Sequence, residues 1–383
     1  MKTKVKFAFV GCGFVSDYYM RTLKHYPALD LVGVFDHNRK RAKAFSNYYK
    51  VPFFESYENL FEQSEIALIV NLTTPESHYS VSKKAILAGK NVYSEKPFTL
   101  SKEQSEELFS LAQQRNLLIS GAPCSVLSTS AQNMTKAIKT QSIGKPRLVH
   151  IEMEDGPIHL MGPGKWKNSF GIPWPVHSEF TLGSSIEHLG YALSWALFLF
   201  GSVENCISSS YCVLPEKLIG QKTYSSTDYS VAVLKHSSGV VTRITCGIIA
   251  PMNRSITVVG EKGYLQIDDI WDNKSPVRKL IFSETKLKAA RKAILAKTWV
   301  GRFLFGLKPK IISSNILHGP SSKWVQRNNM KMDYLLGVND LAEAILNNRP
   351  PQLSPELILE VNLLTLKINN DQLEKQTCGN IRG

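Results

Sequence analysis

Glu95, Lys96 and Pro97 stand in a row directly after a short strand-like segment, which itself follows an apolar helix that ends at Gly89. In open α/β sheets, ligands bind beyond the carboxyl ends of the strands, so a lysine fixed there faces a pocket. Lys96 is therefore a candidate for a role in the chemistry of such a pocket. A lysine seen alone is most often a solvated surface residue. The neighbouring motifs favour a lysine that faces a pocket over a surface lysine.

A second group of polar residues stands at the start of an apolar helix that ends at Gly201. Glu187, Tyr191 and Ser194 are spaced at i, i+4 and i+7, so they share one helix face. His188 lies beside that face, within reach of Tyr191. An acid, an imidazole and a phenol are costly to bury without a purpose, and the pattern predicts a proton-transfer cluster. The alternative is an exposed first turn in which Glu187 stabilises the helix dipole.

A glycine-rich turn follows the first strand-like run, at residues 6–10, and precedes a helix. Its G-x-G-x-x-S pattern is formed by Gly11, Cys12, Gly13, Phe14, Val15 and Ser16. The first glycine permits a tight turn, the second lets the backbone approach a pyrophosphate, and the helix N-terminus supplies N–H donors. Serine stands where the usual fingerprint has a third glycine or an alanine. In its strand-turn-helix context, the motif predicts a dinucleotide site.

The second strand-like run ends in Asp36, 23 residues after Gly13. An acid at this position accepts hydrogen bonds from the adenosine ribose hydroxyls and repels a 2′-phosphate, which favours NAD over NADP. His37 and Arg39 follow closely and could weaken that preference. A solvated helix start is the more common role for such residues.

A third strand end carries short polar side chains. The buried strand at residues 66–72 runs into Thr73, Thr74 and Pro75, where hydroxyls and backbone would lie next to a cofactor. Pro75 begins the next helix, a favoured position for proline, and His78 lies in its first turn. His78 is therefore either a cofactor neighbour or a helix residue whose hydrogen bonds are satisfied within the fold.

The elements around these motifs fall into two halves. Six strand-like runs, including short ones at residues 52–54 and 117–120, alternate with helices over residues 1–122. This alternation predicts an α/β domain with a doubly wound parallel sheet. Residues 123–383 predict an α+β domain with a large, mostly antiparallel open sheet, because residues 237–239 form a hairpin signal between two strand-like runs.

A long Gly-, Pro- and Trp-rich excursion occupies residues 156–180. A loop of this length inside a compact domain is usually functional or disordered, and its tryptophans argue for order. The excursion predicts a lid or a stacking surface for a sugar ring, with plain packing over the sheet as the alternative.

The positive charge of the chain is concentrated in one segment. The chain has 383 residues and a formal net charge of +14, and residues 284–310 contain eight basic residues and one acid. These cations alternate with apolar patches, which predicts a basic insertion at residues 284–325 that contacts an anionic membrane surface or a phosphorylated substrate through residues 285–310. A solvated insertion is the alternative. Nucleic acid is not expected, because no binding motif accompanies the charge.

The six cysteines show no CxxC pair and no regular spacing. We therefore expect free thiols in a reducing compartment and no metal site. The first residues show no secretory signal, and the longest apolar stretch of the second half is too short to span a bilayer. These features predict a cytoplasmic protein.

Together these motifs resemble the Gfo/Idh/MocA oxidoreductases, a family that includes glucose–fructose oxidoreductase and inositol 2-dehydrogenase. The resemblance covers essentially the whole chain and is carried by Gly11, Gly13, Asp36, Thr73, Thr74, Pro75, His78, Gly89, Glu95, Lys96, Pro97, residues 183–191 and the tail at residues 331–350. It implies an N-terminal NAD(P)-binding Rossmann domain and a C-terminal domain that binds substrate. It also implies that the open sheet of the C-terminal domain mediates a homo-oligomer, a dimer or a tetramer.

The resemblance assigns the family's catalytic lysine to Lys96. The family's D-x-G-x-H stretch has two placements: matching the acid gives Glu187 and Tyr191, whereas matching the glycine puts His188 and Ala192 in place of the acid and the histidine. In both placements the family's acid/base histidine is absent. A nearby ammonium lowers the pKa of a phenol, so Tyr191 beside Lys96 is one candidate acid/base. His188 is the other, and Glu187 would orient the cluster.

Three functions follow from the resemblance. The first is an NAD(P)-dependent oxidoreductase that transfers hydride between nicotinamide and a secondary hydroxyl of a sugar, a nucleotide sugar or a cyclitol. The second is a redox-neutral epimerase or glycosidase that keeps NAD bound. The third is a non-catalytic NAD-binding sensor. The presence of Lys96 favours an enzyme, whereas the absence of the family histidine leaves the sensor as an alternative function.

Overall fold

The structure of the protein, a computed structural model, describes residues 4–217, 223–282, 310–312 and 331–371. Its first sheet has five parallel strands in the order β2-β1-β3-β4-β5. The strands are β1 (Val5–Val10), β2 (Leu29–Phe35), β3 (Leu68–Asn71), β4 (Asn91–Ser94) and β5 (Ile119–Gly121). The helices between them are α1 (Ser16–Leu23), α2 (Arg39–Tyr49), α3 (Tyr57–Phe61), α4 (Pro75–Leu87) and α5 (Lys102–Gln114).

Both faces of the first sheet are buried. Val10 and Ile69 belong to one hydrophobic cluster, whereas their chain neighbours Phe9 and Val70 belong to another. Successive side chains of a strand point to opposite faces, so each face has its own apolar layer. Helix-covered parallel sheets have this property, and the predicted doubly wound parallel sheet is confirmed.

The prediction of six strands in this sheet is wrong for residues 52–54. Phe53 forms only an isolated bridge with Val34. The Val34 N–H donates to the Pro52 carbonyl at 3.0 Å, and the Phe54 N–H donates to the Val34 carbonyl at 2.8 Å. Proline has no N–H to donate, so the ladder does not extend past Pro52.

The second sheet has eight strands in the order β13-β12-β11-β10-β6-β9-β8-β7. These are β6 (Pro146–Glu154), β7 (Val203–Tyr211), β8 (Tyr229–His236), β9 (Val241–Gly247), β10 (Ile256–Gly260), β11 (Gly263–Ile267), β12 (Val277–Ile281) and β13 (Lys310–Ile312). All neighbouring strands are antiparallel except β6 and β9, which are parallel. The predicted mostly antiparallel sheet is confirmed, and β8 and β9 form the predicted hairpin.

Five more helices complete the described fold: α6 (Thr129–Lys139), α7 (Val176–Leu182), α8 (Ser184–Phe200), α9 (Leu335–Asn347) and α10 (Pro355–Asn370). Helix α8 packs against α10 and β9. It begins directly after Gly183, whose φ is +84° and whose added Cβ would lie 2.5 Å from the Thr227 carbonyl oxygen. Only glycine fits such a position. The resulting sharp turn between α7 and α8 places Glu187 and His188 in the first turns of α8.

The chain returns to the first sheet before its last helix. Asp333 accepts hydrogen bonds from the Thr22 hydroxyl at 2.7 Å and from the Tyr26 hydroxyl at 2.6 Å. Leu335 at the start of α9 is buried in the hydrophobic cluster that also contains β1 residues. This return brings Tyr334 next to the ring of Tyr18, with ring centres 5.1 Å apart.

The predicted basic insertion at residues 284–325 lies outside the described residues apart from β13. Its predicted contact with a membrane surface, through residues 285–310, therefore stays a prediction. Among the described residues, none of the helices is both long and apolar enough to cross a bilayer.

The Gly183 turn gives a direct test of the fold around α8. Gly183→Ala should lower the free energy of unfolding by about 2 kcal/mol more than Gly239→Ala. Gly239 is a matched control, because its φ is +81° and an added Cβ would meet no atom within 4 Å. Both variants carry the backbone strain of a positive φ, about 1–3 kcal/mol, but only Gly183→Ala also meets the Thr227 carbonyl. Urea unfolding of both variants measures the difference, and equal losses would contradict this account of the turn.

Candidate active site

A cavity of about 690 Å³ lies between the two halves of the chain that form the two sheets. Its walls include Gly13, Thr73 and Lys96, which follow β1, β3 and β4, and Asp155 and Glu187 from the second half of the chain. The carboxyl ends of parallel strands are the usual ligand-binding edge of an open α/β sheet. The volume is within the ordinary range for small-molecule and cofactor sites.

One part of this cavity has the features of a dinucleotide site. Of the residues predicted to bind cofactor, those that line it are Gly11, Gly13, Phe14, Val15, Asp36, Thr73, Thr74, Pro75, Glu95 and Lys96. Gly11 has φ +104°, and an added Cβ would lie 2.5 Å from the Leu72 carbonyl oxygen. An added Cβ on Gly13 would meet no atom within 4 Å, so the backbone there is open to the cavity. These residues fit a pyrophosphate that approaches the turn closely.

Asp36 fixes the shape of the glycine-rich turn. One carboxylate oxygen accepts the Cys12 N–H at 2.9 Å, and the other accepts the Asn38 N–H at 2.7 Å. Arg41 lies 3.3 Å from the second oxygen, and His37 lies 3.6 Å from it. A carboxylate oxygen has a further lone pair, so Asp36 can still accept a ribose hydroxyl.

Two residues predicted to bind cofactor, His78 and Pro97, do not line the cavity. His78 is buried, with Nδ1 2.6 Å from the Pro97 carbonyl oxygen and Nε2 3.0 Å from the Thr73 carbonyl oxygen. Burial lowers the pKa of His78. Through these contacts His78 holds the Thr73 loop against the segment that contains Lys96, and its predicted role beside a cofactor stays a prediction.

Lys96 and Glu187 form an ion pair across the cavity, in which the Glu187 side chain is buried and the Lys96 side chain is partly exposed. Glu95 supports Lys96, because its carboxylate accepts the Lys96 N–H at 2.9 Å and the Tyr19 hydroxyl at 2.7 Å. Burial lowers the pKa of Lys96, but the charges of Glu187, Glu179 and Glu95 more than offset burial, and the net change is upward. Lys96 is therefore an ammonium group at neutral pH.

Glu179, on α7, is the residue of this cluster that the sequence analysis missed. Its carboxylate lies 2.7 Å from Nε2 of His188, and both side chains are buried. Nδ1 of His188 lies 3.6 Å from the Asp155 carboxylate. The predicted pairing of His188 with Tyr191 is thus replaced by contacts with two carboxylates. No motif surrounds Glu179. Its position in the excursion at residues 156–180 was the only signal in the sequence that it lies in the site.

The three titrating groups of the cluster affect one another. Burial raises the pKa of Glu187, the charge of Glu179 adds to this effect, and the pKa is about 7 despite the Lys96 ammonium. Burial alone would also raise the pKa of Glu179, but Lys96 and His188 lower it below its usual value. Burial lowers the pKa of His188, but the hydrogen bond and charge of Glu179 outweigh burial, so the net change is upward.

Tyr191 lines the same cavity as Lys96, and its ring packs against Trp271 with ring centres 4.8 Å apart. Burial, together with the charges of Glu95 and Asp155, raises the pKa of Tyr191 well above its usual value. The expectation that Lys96 lowers this pKa is wrong, because burial and the carboxylates dominate. Ser194, predicted on the same helix face, donates instead to the Tyr191 carbonyl at 2.9 Å.

A second group of charged residues contacts His188 through Asp155. Arg254 donates to Asp155 at 2.9 Å and to Asp269 at 3.1 Å, and its guanidinium carbon lies 4.3 Å from the centre of the Trp271 ring. Lys331 lies 2.8 Å from Asp269. Asp155, Arg254 and Asp269 belong to no sequence motif, and they come together because the ends of β6, β10 and β11 are adjacent in the sheet.

The excursion at residues 156–180 lines the cavity with Trp166 and Trp174, whose ring centres are 5.0 Å apart. It is therefore ordered and faces the site. The excursion thus forms a wall of the cavity, and Ile158 and Phe180 also pack in a small hydrophobic cluster with Tyr224. Its predicted role as a lid or as a stacking surface for a sugar ring stays a prediction.

The contact between Glu179 and His188 predicts a change in titration. Glu179→Gln should lower the pKa of His188, because it removes the charge that opposes burial. Because folding raises the pKa of His188, protonation of His188 stabilises the fold. This stabilisation is complete below the pKa of the unfolded state, about 6.5, and it is lost as the pH rises through the pKa of the folded state. NMR titration of the histidine rings measures the change, with His236, whose ring is held by Gly201 and Thr242, as an internal control. An unchanged His188 midpoint would contradict the assignment.

Comparison with known proteins gives the same family for both halves of the chain. Residues 5–121 match the family model described as oxidoreductase family, NAD-binding Rossmann fold, and residues 131–266 match the GFO/IDH/MocA C-terminal domain. Trans-1,2-dihydrobenzene-1,2-diol dehydrogenase of Bos taurus is 23% identical over 290 residues, which cover 74% of this chain and 79% of that protein.

Two solved structures share the fold at low sequence identity. UDP-N-acetylglucosamine 3-dehydrogenase GnnA from Acidithiobacillus ferrooxidans matches with a TM-score of 0.68 and 16% identity, over 96% of this chain and 98% of that one. The WlbA dehydrogenase from Bordetella pertussis, in complex with NADH and UDP-GlcNAcA, matches with a TM-score of 0.69 and 16% identity, over 97% of both chains. With the strand order, the glycine-rich turn and the position of Lys96, these matches lead to one conclusion: the chain belongs to the GFO/IDH/MocA family of oxidoreductases and has an NAD-binding Rossmann fold at residues 5–121.

Proposed function

We propose that this protein is an NAD-dependent dehydrogenase that acts on a secondary hydroxyl of a sugar, a nucleotide sugar or a cyclitol. The observation that carries the proposal is the Lys96 ammonium, held by Glu187 in the cavity that the glycine-rich turn also lines. The names of the relatives, a diol dehydrogenase and a nucleotide-sugar 3-dehydrogenase, support a hydroxyl as the reacting group. In this proposal residues 1–122 bind the cofactor and residues 123–383 supply the substrate side.

The residues at the carboxyl ends of β1, β2 and β3 would hold the cofactor, with Gly13 at the pyrophosphate and Asp36 at the ribose. When bound, the nicotinamide accepts or supplies the hydride. The protein's part is to bind the substrate, to orient it and to manage the proton of its hydroxyl group.

Lys96 would donate a hydrogen bond to the reacting oxygen and stabilise negative charge that develops there. Glu187 would orient the ammonium, because the ion pair leaves the remaining N–H groups of Lys96 free to face the cavity. The ammonium is an effective donor in this site because the surrounding carboxylates keep it protonated.

We assign the proton transfer to Tyr191, with His188 as the second candidate. Geometry comes before pKa in such an assignment. Tyr191 follows Glu187 by one helical turn and shares its face, whereas both ring nitrogens of His188 are directed at carboxylates. With its pKa above the usual value, the Tyr191 phenol donates its proton in carbonyl reduction and must first lose it in alcohol oxidation.

Lys96→Met should lower kcat/KM by about 10²–10³-fold, the usual effect of removing a donor to a developing oxyanion, while NADH still binds. Lys90→Met is the matched control, because Lys90 is a buried lysine on the same segment that donates to the Gln63 carbonyl at 2.7 Å and does not line the cavity. Absorbance of reduced nicotinamide measures turnover with a panel of sugars, nucleotide sugars and cyclitols. An active Lys96→Met variant would contradict the proposal.

The same assay separates the two proton carriers. Tyr191→Phe should lower the rate by about 10²–10⁴-fold, and the rate of alcohol oxidation by the wild type should rise with pH through the alkaline range. His188→Asn should cost less. The reverse ranking, with a rate that levels off near neutral pH, would transfer the role to His188.

The choice between NAD and NADP can be tested at Asp36. Wild-type protein should bind NADH more tightly than NADPH, because the Asp36 carboxylate repels a 2′-phosphate. Asp36→Ser should shift the NADPH-to-NADH affinity ratio by about tenfold or more towards NADPH, since removal of a like charge is worth more than about 1.4 kcal/mol. Adding Arg41→Ala should remove the gain, because Arg41 is the cation nearest to Asp36. Fluorescence titration with both nucleotides measures the ratio, and equal affinity of the wild type would contradict the preference.

We also propose that the chain forms a homo-oligomer through the outer face of the second sheet. Ile207 and Val233 are cross-strand partners on β7 and β8, and they are 69% and 41% exposed. Exposed apolar patches mark protein–protein interaction sites when they are large, and this pair would form part of such a patch. The number of copies, dimer or tetramer, stays a prediction, as does the cytoplasmic location.

A further inference from the structure

Within the excursion, the turn at residues 166–174 contacts the first half of the chain. The Trp174 N–H donates to the Trp166 carbonyl at 3.0 Å, and Lys167 and Pro173 form an isolated bridge. The Asn168 carbonyl oxygen of the side chain accepts the Ile172 N–H at 2.8 Å. These bonds close the turn on itself, so it behaves as one unit.

The tip of this turn is hydrogen-bonded to the glycine-rich turn and to α1. The Asn168 amide donates to the Gly13 carbonyl at 3.3 Å and to the Phe14 carbonyl at 3.4 Å. The Ser169 hydroxyl donates to the Asp17 carboxylate at 3.0 Å. Asp17 is itself fixed by ion pairing and is fully buried. The second half of the chain therefore reaches over the site and is anchored on the first.

An aromatic contact strengthens this anchor. The Phe170 ring lies 5.5 Å from the ring of Phe45, 5.9 Å from that of Tyr49 and 6.2 Å from that of Tyr48. Aromatic pairs at such distances are favourable beyond the area they bury. All three partners belong to α2, the helix that follows the strand ending before Asp36, so the turn contacts two different helices of the NAD-binding half.

The inner side of the same turn faces the cavity. Its lining residues are Trp166, Lys167, Ile172, Pro173 and Trp174. Gly13 and Phe14, to which the tip is bonded, line the cavity as well. A nucleotide bound against the glycine-rich turn would thus have this turn as its opposite wall.

We propose that residues 166–174 form part of the dinucleotide site and hold bound NAD in it, so that nucleotide leaves only after the turn separates from Gly13 and Asp17. This inference rests on the proposed function, because it takes NAD as the occupant of the cavity. It adds Asn168, Ser169 and Phe170 to the residues that control cofactor binding. These residues lie more than 150 positions after Gly13 in the chain.

The test is the rate at which NADH leaves the full-length protein. NADH is bound to the purified protein, a large excess of NAD⁺ is added, and the loss of energy transfer from tryptophan to NADH is followed by stopped flow. Trp166 and Trp174 line the cavity and supply this signal. Phe170→Ala and Asn168→Ala should each raise the dissociation rate about tenfold, which corresponds to about 1.4 kcal/mol.

Ser169→Ala should also raise the dissociation rate of NADH, because it removes the hydrogen bond to Asp17. As the smallest of the three changes, it keeps the test valid if a larger variant fails to fold. Phe282→Ala is the control, because Phe282 is a half-exposed aromatic residue outside the cavity lining and should leave the rate unchanged. Unchanged rates in all three turn variants of a protein that binds NADH would overturn this inference alone. Failure of the wild type to bind any nicotinamide nucleotide would overturn the proposed function with it.

Discussion

The ion pair between Lys96 and Glu187 is the interaction on which the rest of the site depends. It joins the end of β4, in the first sheet, to the start of α8, which packs on the second. Removing two charges from water costs several kcal/mol per ion, so this pair persists only if its neighbours complete its hydrogen bonding and charge balance. Glu95 holds the backbone of Lys96, and the turn at Gly183 sets where α8 begins. These contacts together fix the position of the start of α8 relative to the end of β4, where the cavity lies.

Further charges extend from the cluster to the protein surface. In order, they are Glu179, His188, Asp155, Arg254, Asp269 and Lys331. Acid and base alternate along this chain, so each buried charge has a partner of opposite sign, and the last lysine is half-exposed to solvent. Alternation of this kind makes several ionisable groups tolerable in a low-dielectric interior. Glu187 lies beside this series, and burial together with the charge of Glu179 raises its pKa to about 7.

The sequence predicted features that depend on short stretches of chain. The strand, turn and helix around Gly11 and Gly13 are local, and their glycines have physical requirements that can be read from the motif. The same holds for Lys96 at a strand end. Glu179 and Asp155 could not be found in this way, because they reach the site through a long excursion and a strand end with no motif. The pKa of Tyr191 was expected to fall and instead rises, since burial is a property of the packed structure and the sequence shows only that a lysine is available. β12 and β13 were missed because one carries charged residues and the other has only three residues.

The excursion at residues 156–180 contains both the turn that lies over the glycine-rich motif and Glu179, the residue that contacts His188. Only one residue separates Trp174 from the first residue of α7, the helix that bears this carboxylate. One continuous stretch of chain thus covers the proposed coenzyme site and supplies a carboxylate of the acid–base cluster. A substitution that displaces this stretch would therefore disturb nucleotide binding and the acid–base cluster together.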